Sequence, residues 1–384
     1  MKSHLPEKIK ALYERDQALN SKARHATDIP ISYEAITPEW LTHVLCGKTP
    51  GAQVVDFRLG PPDDATSNRR RIHLTYNSAG AAAGLPASVF CKASHSLINR
   101  LTLGLCGSAH AETMFYNRVR HLLDIETPNG YFADYDRESF LSIIMLADLG
   151  DVTFADHDTD IRREQIENMV RLMATYHATM LEHEGIKDRK FELPTLQQFW
   201  QDIEDLVFME ESSNRGFLDA EAVIPVKLYQ RFPEIWPATK RAIQRHDELP
   251  QTLIHNDVHL RNWYLFEDNG MGLMDWGACC IGNWSRDFAY GISVALTPEN
   301  RRLWERDLLR LYLSEIESRG KPAPSFDDAW ELYIQQLFPA LAFWTNTLRP
   351  SEMQPENMQP EDAATEFIRR IAHAIDDHDA LDRI

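Results

Sequence analysis

The sequence predicts an α+β protein in two parts, an N-terminal lobe built on an antiparallel sheet and a mainly helical C-terminal lobe. The chain has 384 residues, 43% of them apolar, which exceeds the usual size of one compact domain. Segments of alternating apolar residues are concentrated before residue 147, whereas helical periodicity dominates afterwards. We therefore place the lobe boundary between residues 147 and 148, giving lobes 1–147 and 148–384.

The first 50 residues predict a helical extension that precedes the sheet. Residues from about Pro6 to Lys22 are charged throughout and are predicted to form a surface helix. Thr37 followed by Pro38 is typical of a helix start, because a threonine side chain caps free backbone N–H groups and proline suits the first turn.

Three segments after this extension predict the first strands of the sheet. VVDFRL, which begins at Val54, and RIHLTY are joined by the polar connection GPPDDATSNRR and predict a hairpin with a long loop. SVFCKAS predicts a further strand, on which Phe90 and Lys92 face the side opposite Val89 and Cys91. Lys92 therefore lies on a mostly apolar strand.

A helix and two more strands complete the predicted N-terminal lobe. In AETMFYNRVRHLLDI, Glu112 stands three and four residues before Phe115 and Tyr116, so its side chain is expected to point inward with the apolar stripe. The strands are predicted around residues 131–135 and 140–146.

Helical patterns dominate the C-terminal lobe. The predicted helices are MVRLMATYHATML, residues 200–209, residues 304–316 and residues 328–348. Strands are predicted only between residues 252 and 274, and SEMQPENMQPED is predicted to be a surface loop.

The charge and the cysteine content of the chain indicate which classes of partner and which cellular compartment to expect. The formal net charge of −18 disfavours nucleic acid and anionic membrane surfaces as partners, although such acidity is also ordinary for a soluble protein. Five cysteines without a CxxC pair predict reduced thiols. The charged N-terminus has no apolar signal-peptide core, and no apolar run reaches membrane-spanning length, so we expect a cytoplasmic protein.

The most informative stretch is TLIHNDVHLRNWYLFEDNGMGLMDWG. Its apolar runs WYLF and MGLM flank Asn269-Gly270, the strongest short signal for a hairpin. Such a hairpin brings Asp257 and Asn262, which precede it, to the same end as Asp275, which follows it. These three polar side chains are therefore expected to lie close together.

Converging oxygen groups of this kind suit phosphoryl transfer to a hydroxyl. That reaction needs a carboxylate to orient and deprotonate the nucleophile, and oxygen ligands that hold Mg²⁺ across the nucleotide phosphates. It also needs positive charge on the α- and β-phosphates, which a strand lysine held by a helix glutamate can supply. Lys92 and Glu112 occur in that order and context.

HNDVHLRN resembles the HxDxxxxN catalytic loop of the aminoglycoside phosphotransferase and choline kinase superfamily, which has a protein-kinase-like fold of two lobes. Asp275-Trp276-Gly277 is similar to the metal-binding aspartate motif of that superfamily, and the resemblance spans most of the chain. The early helix TPEWLTHVL is similar, more loosely, to the ecdysteroid-kinase-like (CHK-like) branch.

The resemblance implies a small-molecule kinase that uses ATP, with GTP also open as donor, and Mg²⁺. By the resemblance, Asp257 is the catalytic base, His255 braces its loop and Asp287 anchors the backbone of that loop. The resemblance also implies that Asn262 and Asp275 bind Mg²⁺, that Lys92 contacts the nucleotide phosphates and that Glu112 positions Lys92. The hinge that binds adenine is implied to consist of Met145, Leu146, Ala147 and Asp148. The acceptor is a small molecule with a hydroxyl group, and the sequence carries no motif that identifies it.

The sequence departs from the superfamily pattern at two places. The loop expected over the phosphates, GPPDDATSNRRR, has Gly60 as its only glycine and carries two acidic residues, which weakens the prediction of nucleotide binding. Asn256 occupies a position where many relatives have glycine, but asparagine tolerates positive φ. A non-catalytic nucleotide-binding protein of the same fold is therefore the second reading of the sequence.

The histidines of the loop permit another interpretation. His255, Asp257 and His259 form an H-x-D-x-H pattern that can bind Zn²⁺ in a hydrolase, but that interpretation assigns no role to Asn262 or Asp275. His259 is otherwise expected to line a pocket or to be structural. We expect His177, on an apolar helix, to be a hydrogen-bonded core histidine.

Aromatic residues around the motifs have alternative roles. Trp263, Trp276 and Trp284 could hold an amine by cation–π attraction, and core packing explains them equally well. Phe90 is a candidate wall of the adenine pocket, because it shares a strand face with Lys92.

Overall fold

The computed structural model describes residues 5–354 and 358–384, which form two units. One unit comprises Met1–His121 and Pro128–Asp151, and the other comprises Leu122–Thr127 and Val152–Ile384. Residues 1–4 of the predicted extension and residues 355–357 of the predicted surface loop lie outside the described residues. The assignment of nucleotide binding to one lobe and of catalysis to the other stays a prediction.

The first unit consists of an antiparallel sheet with short helices. Its elements are α1 (Leu5–Leu19), α2 (Pro38–Cys46), β1 (Val54–Leu59), β2 (Asp63–Asp64), β3 (Asn68–Tyr76), α3 (Ser78–Ala82), β4 (Ser88–Ala93), α4 (Leu97–Leu105), α5 (Ser108–Met114), β5 (Gly130–Tyr135) and β6 (Ser142–Ala147). The strand order is β1-β3-β4-β6-β5, and β2 pairs with β3. A π-helical turn, Phe115–Val119, continues α5.

Local sequence signals explain how these elements form. The Thr37 hydroxyl accepts a hydrogen bond from the Trp40 backbone N–H (3.1 Å), and Pro38 is the first residue of α2, as predicted. Strand β4 alternates as predicted, because Val89 and Cys91 are fully buried while Phe90 and Lys92 are partly exposed. The buried face of the sheet packs against Trp40 of α2. One face is thus committed to the core, and the other carries Phe90 and Lys92.

The second unit is mainly helical. Its elements are β7 (Thr153–Phe154), α6 (Arg163–Met180), α7 (Glu184–Lys187), α8 (Leu196–Val207), α9 (Met209–Asp219), α10 (Val226–Gln230), α11 (Phe232–Gln244), β8 (Thr252–Ile254), β9 (Trp263–Leu265), β10 (Met271–Leu273), β11 (Cys280–Gly282), α12 (Ser285–Ala295), α13 (Pro298–Ser318), α14 (Phe326–Gln335), α15 (Leu337–Leu348) and α16 (Glu361–Asp377). In the described residues of both units together, short 3₁₀ turns occur at Tyr33–Ala35, Arg120–Leu122, Glu221–Val223, Arg245–Glu248, Leu260–Asn262, Trp276–Ala278 and Ala380–Asp382. The predicted α+β class, with an antiparallel sheet first and helices afterwards, is confirmed.

The predicted hairpin is present, but three details of the helical unit differ from expectation. The predicted helix 200–209 is interrupted at Phe208, which has a φ of 52° and separates α8 from α9. β9 and β10 pair antiparallel, and Asn269 in their turn has a φ of 69°. The predicted helix 328–348 is two helices, α14 and α15. Pro339 has no N–H to bond the Gln335 carbonyl, so the helix restarts and leaves the proline in the first turn of α15. The predicted strand region also omitted β7 and β11, which are too short to show an alternating pattern.

None of the described helices combines the length and apolar character needed to cross a membrane. None of the five cysteines, all of which lie in the described part of the chain, forms a disulfide bond, and only Cys106 is partly exposed.

Candidate active site

Asp287, at the start of α12, holds the backbone of the loop that follows β8. Its two carboxylate oxygens accept hydrogen bonds from the backbone N–H groups of His255 (2.6 Å) and Asn256 (2.7 Å). The carboxylate is fully buried. Burial acts to raise the pKa of Asp287, but hydrogen bonds and charge from His177 and other neighbours outweigh it and hold the pKa below its ordinary value. Asp287 therefore fixes the loop as a buried anion.

His255 joins the loop to the segment that follows β10. Its Nδ1 accepts a hydrogen bond from the Asp257 backbone N–H (3.2 Å), so Nε2 carries the proton and donates to the Met274 carbonyl (3.0 Å). Burial lowers the pKa of His255, which favours this neutral form. Because both ring nitrogens are occupied, His255 has no nitrogen left for the Zn²⁺ of the hydrolase interpretation.

Asn256 adopts the positive φ that its position requires, with φ at 66°. Its side chain does more than tolerate the conformation. The amide oxygen accepts a hydrogen bond from Arg286 Nε (2.9 Å), and the amide nitrogen donates to the Ala278 carbonyl (3.3 Å). A glycine at this position would keep the backbone conformation and lose both bonds.

Asp257 presents its carboxylate at the end of this loop. One oxygen accepts a hydrogen bond from the Tyr290 hydroxyl (3.3 Å), and the other lies 3.5 Å from His259 Nε2. Burial acts to raise the pKa of Asp257, but the charge and hydrogen bond of His259, followed by His255 and Arg286, hold the pKa well below its usual range. About a third of the side chain, 32%, remains exposed. Asp257 is thus an ionised carboxylate that a small molecule can reach.

Two hydrogen bonds bring Asn262 and the Asp275 segment to this loop. The side-chain amide nitrogen of Asn262 donates to the Asp257 backbone carbonyl (2.7 Å), and the Met274 backbone N–H donates to the Asn262 backbone carbonyl (2.9 Å). Asp275 follows directly and has a φ of 65°, a left-handed conformation that aspartate adopts more readily than most residues. The predicted convergence of Asp257, Asn262 and the Asp275 segment is therefore present.

The donor atoms of this site fit a hard divalent cation. With its amide nitrogen bonded to Asp257, Asn262 has its amide oxygen available as a ligand, and Asp275 supplies a carboxylate. In the described part of the chain, no group of three or more His, Cys, Asp and Glu side chains is arranged around a common metal position. One carboxylate and one amide oxygen suit Mg²⁺, which keeps water and phosphate oxygens among its ligands.

In the first unit, Lys92 and Glu112 form the predicted pair. Lys92 Nζ lies 2.8 Å from Glu112 Oε1, and the two side chains are only 13% and 6% exposed. Arg69 is the direct cross-strand neighbour of Lys92 and binds the Asp63 carboxylate at 2.9 Å. One of the two acidic groups in the connection before β3 is therefore neutralised within its own hairpin, whereas Asp64 accepts a hydrogen bond from the Asn68 amide (3.0 Å).

The predicted hinge residues lie at the end of β6. Met145 and Leu146 are buried within the strand and paired with β4 on one side and β5 on the other. Ala147 ends the strand, and its N–H donates to the Asn129 carbonyl (2.8 Å). The Asp148 carboxylate binds Arg71 and the Ser88 hydroxyl, and no described residue accepts its backbone N–H. The adenine-binding role of these four residues stays a prediction.

Several residues at the site were not identified from the sequence. The Tyr176 hydroxyl donates to Asp287 Oδ2 (2.6 Å), Tyr290 bonds Asp257, and the Arg286 guanidinium lies over the Tyr290 ring at 4.7 Å. Tyr290 stands three residues after Asp287 on α12, a spacing that could have indicated a second residue facing the loop. No local signal indicated Tyr176, because it lies 111 residues from Asp287.

His177 and the tryptophans occupy the core. His177 is fully buried and hydrogen-bonded, as predicted for a core histidine. Trp263 and Trp276 are fully buried, and their indole N–H groups donate to the Val258 carbonyl and to the Thr127 hydroxyl. Core packing is thus the role of these two tryptophans. Trp284 is also buried and stacks on Tyr312.

The chain belongs to the phosphotransferase enzyme family, whose model matches residues 107–324, more than half of the 384 residues. The matched region contains Glu112, the loop with Asp257 and Asn262, Asp275 and Asp287. The predicted superfamily is therefore confirmed, whereas the ecdysteroid-kinase-like branch stays a prediction.

Solved structures with a similar chain fold include two choline kinases and an aminoglycoside phosphotransferase. The choline kinase from Cryptosporidium parvum is 10% identical, with a TM-score of 0.49 and coverage of 90% of this chain and 97% of its own. The choline kinase from Streptococcus pneumoniae is 11% identical, with a TM-score of 0.45 and coverage of 88% and 97%. The GDP complex of an aminoglycoside 2'-phosphotransferase is 9% identical, with a TM-score of 0.47 and coverage of 89% and 99%. No curated protein sequence matches the chain.

Proposed function

We propose that this phosphotransferase is a cytoplasmic kinase that transfers the γ-phosphate of ATP to a hydroxyl group of a small molecule. The observation that carries the proposal is the loop after β8, on which buried Asp287 holds two backbone N–H groups and Asp257 extends an ionised carboxylate. The Asn262 side chain donates to the Asp257 carbonyl of the same loop, and the N–H of Met274, the residue before Asp275, donates to the Asn262 carbonyl. This combination of groups is what phosphoryl transfer to an alcohol requires.

Asp257 is the proposed catalytic base. Its carboxylate accepts a hydrogen bond from the acceptor hydroxyl, orients that oxygen toward the γ-phosphate and takes its proton as the new P–O bond forms. Tyr290 and His259 hold the carboxylate from two sides, which limits its rotation. A low pKa suits this role, because Asp257 then stays ionised at neutral pH and acts mainly by orienting the nucleophile.

Asn262 and Asp275 are the proposed ligands of Mg²⁺. The bound ion would offset negative charge on the phosphate oxygens. The chain's contribution is to aim the two oxygen ligands, through the Asn262–Asp257 bond and the bond from the Met274 N–H to the Asn262 carbonyl.

The first unit is the proposed nucleotide-binding part. Lys92 would contact the α- and β-phosphates, and Glu112 would keep the ammonium group in place. Phe90 lies on the same face of β4, two residues before Lys92, and would form a wall of the adenine pocket. The backbone at Ala147 and Asp148 would bind the base, with ATP as the proposed donor and GTP as the alternative.

The acceptor is proposed to bind beside the free side of Asp257. His259 is buried, its Nδ1 has no hydrogen-bond partner among the described residues, and its ring packs edge-on against Trp344 at 5.4 Å. This nitrogen is enclosed by protein, so the acceptor is proposed to reach the site through the exposed part of the Asp257 side chain.

One observation favours a second candidate, a nucleotide-binding protein without catalysis. The connection before β3 folds as a hairpin in which Arg69 neutralises Asp63 but not Asp64, and Gly60 is its only glycine. Such a hairpin offers fewer free backbone N–H groups to phosphates than a glycine-rich loop. Binding of nucleotide without transfer to any hydroxyl compound would favour this candidate.

Calorimetric titration of ATP with and without Mg²⁺ tests the binding half of the proposal. The wild type should bind ATP more tightly with Mg²⁺, and Asp275→Asn should lose most of that difference. Glu267→Gln is the matched control, because it removes one negative charge from the exposed turn of the same hairpin. Phe90→Ala should raise the KM for nucleotide. Absence of ATP and GTP binding in the wild type would refute the proposal.

A further inference from the structure

The second unit contains a cavity of about 600 Å³ that the proposed reaction does not use. His177, Thr252, Trp284 and Tyr312 contribute to its lining, whereas none of the proposed catalytic and metal-binding residues does. The volume lies within the range of sites that bind small organic molecules. The cavity is therefore separate from the position at which the hydroxyl of the acceptor would meet Asp257.

The interior of the cavity is aromatic and aliphatic. The rings of Trp284 and Tyr312 are stacked, with centroids 4.7 Å apart and an interplanar angle of 26°. Leu181, Ile316 and Leu332 add aliphatic surface to the lining. Such a lining favours an apolar ligand body, because its burial removes apolar surface from water on both sides.

The charged side chains that line the cavity are mainly acidic. Glu182, Asp328 and Glu331 contribute three carboxylates to the lining, against one guanidinium from Arg245, which donates to the Gln335 side chain at 2.8 Å. The Glu182 and Glu331 side chains are 60% and 42% exposed and lie at the solvent side. They pair with Lys187 (3.6 Å) and Arg383 (2.6 Å), which do not line the cavity, so part of their charge is neutralised. Asp328 has no cation within ion-pair distance among the described residues and is the carboxylate best placed to bind a ligand cation. The net charge of −18 adds to the same field. A positively charged ligand group is therefore favoured over a negative one.

A chain of hydrogen bonds links the cavity to the catalytic loop. His177 Nε2 lies 3.3 Å from Asp287 Oδ2, and a carboxylate only accepts, so Nε2 carries the proton. Nδ1 must then accept the bond from the Tyr312 hydroxyl, at 2.9 Å. Asp287 in turn binds the N–H groups of His255 and Asn256. A ligand that displaces Tyr312 or His177 therefore acts on the residue that anchors the loop.

We propose that this cavity is a second ligand site, that it takes an amphipathic organic cation with an aromatic or aliphatic body and a protonated amine, and that its occupancy alters the mobility of the catalytic loop. The apolar lining binds the body, and the acidic part of the lining, above all Asp328, binds the ammonium group. The path from Tyr312 through His177 to Asp287 transmits the effect. This site goes beyond the proposed kinase reaction and does not depend on it.

The binding half is tested with tryptamine and indole-3-propionate, which share an indole ring and carry opposite charges. Ligand-observed NMR titration at neutral pH should give tryptamine a dissociation constant at least about tenfold lower. Ala323→Trp, which fills the cavity, should abolish tryptamine binding, and Ala323→Ser, which leaves it open, should not. Ala323→Leu is a milder filling variant should the tryptophan prevent folding. Equal dissociation constants for the two probes, or tryptamine binding that the filling variants leave unchanged, would contradict the proposed ligand site.

The coupling half is tested by hydrogen exchange of residues 252–262, read by mass spectrometry. Saturating tryptamine should change the exchange rate of this segment at least about threefold in the wild type. Tyr312→Phe keeps the ring and removes the hydroxyl that binds His177, so it should still bind tryptamine and show no change in exchange. An unchanged rate in the wild type, or the same change in Tyr312→Phe, would overturn the coupling. Neither readout needs enzyme turnover, so its failure is distinguishable from failure of the kinase proposal.

Discussion

Asp287→Asn should destabilise the protein strongly, although it replaces one atom by another of similar size. The carboxylate receives four donors: the N–H groups of His255 and Asn256, the Tyr176 hydroxyl and His177 Nε2. An asparagine has one amide oxygen and one NH₂ group, and the NH₂ group cannot accept a hydrogen bond. Whichever way the amide is turned, at least one of these donors therefore faces the NH₂ group. The tyrosine can rotate its hydroxyl and the histidine can change tautomer, but a backbone N–H cannot become an acceptor.

The expected cost follows from these contacts. One buried backbone N–H left without an acceptor costs about 1–3 kcal/mol, and the remaining bonds lose the added strength of a charged acceptor. Together we expect a decrease of about 3–5 kcal/mol in the free energy of unfolding. Turnover should fall with it, because the loop that carries Asp257 loses its anchor.

Urea unfolding followed by circular dichroism measures the free energy, and hydrogen exchange at residues 255 and 256 measures the local effect. Asp160→Asn, at an exposed position, is the matched control and should change the free energy by less than about 0.5 kcal/mol. A loss below about 1 kcal/mol for Asp287→Asn, with unchanged exchange at both amides, would refute the reasoning.

Three further changes test other parts of the structure. Burial lowers the pKa of His246 to about 4, so the folded state favours the neutral imidazole. The free energy of unfolding should therefore keep its full value above about pH 6.5 and be about 2 kcal/mol lower at pH 5. Urea unfolding at pH 8 and pH 5 measures this loss, which should be smaller in His246→Gln. Gly216→Ala should cost about 3 kcal/mol in the same assay, because its Cβ would lie 1.8 Å from the Thr345 carbonyl oxygen, and an unchanged midpoint would contradict the packing of α9 on α15. Lys92→Met should weaken ATP binding about tenfold or more in calorimetry, and equal affinity would exclude the proposed phosphate contact.

The parts of the site that the sequence predicted correctly depend on short-range patterns. The Asn269-Gly270 turn fixes the β9–β10 hairpin, and the hairpin alone brings the Asp275 segment to Asn262. The alternation of β4 likewise places Phe90 and Lys92 on one face. The alternation of apolar residues along a strand and the residue types in a turn depend only on neighbouring residues, so both can be predicted from a single sequence.

The support behind the loop could not be predicted in the same way. Tyr176, His177 and Tyr312 meet Asp287 or each other across 110 to 135 residues of chain. On their own helices they are ordinary buried aromatic positions, and only the packing of α6, α12 and α13 gives them partners. The cavity lined by His177 and Tyr312 has the same origin, because long-range packing creates it.

The split between α14 and α15 shows a different limit. The apolar period continues through residues 328–348, and a single proline in that run is compatible both with a kinked helix and with the first turn of a new one. The structure adopts the second arrangement, with Gln336 between the helices and Pro339 in the first turn of α15.

The most direct test of the central claim is phosphate transfer itself. Purified protein is incubated with Mg²⁺, ATP and, in turn, amino alcohols, sugars, nucleosides, aminoglycosides and sterol-like alcohols, and the products are observed by ³¹P NMR. The account predicts a phosphate monoester of at least one of these compounds, made by the wild type and by Glu267→Gln, and a rate about 10²–10⁴-fold lower in Asp257→Asn. Transfer by Asp257→Asn at the wild-type rate, or binding of Mg²⁺ and ATP without transfer to any of these hydroxyl classes, would contradict it.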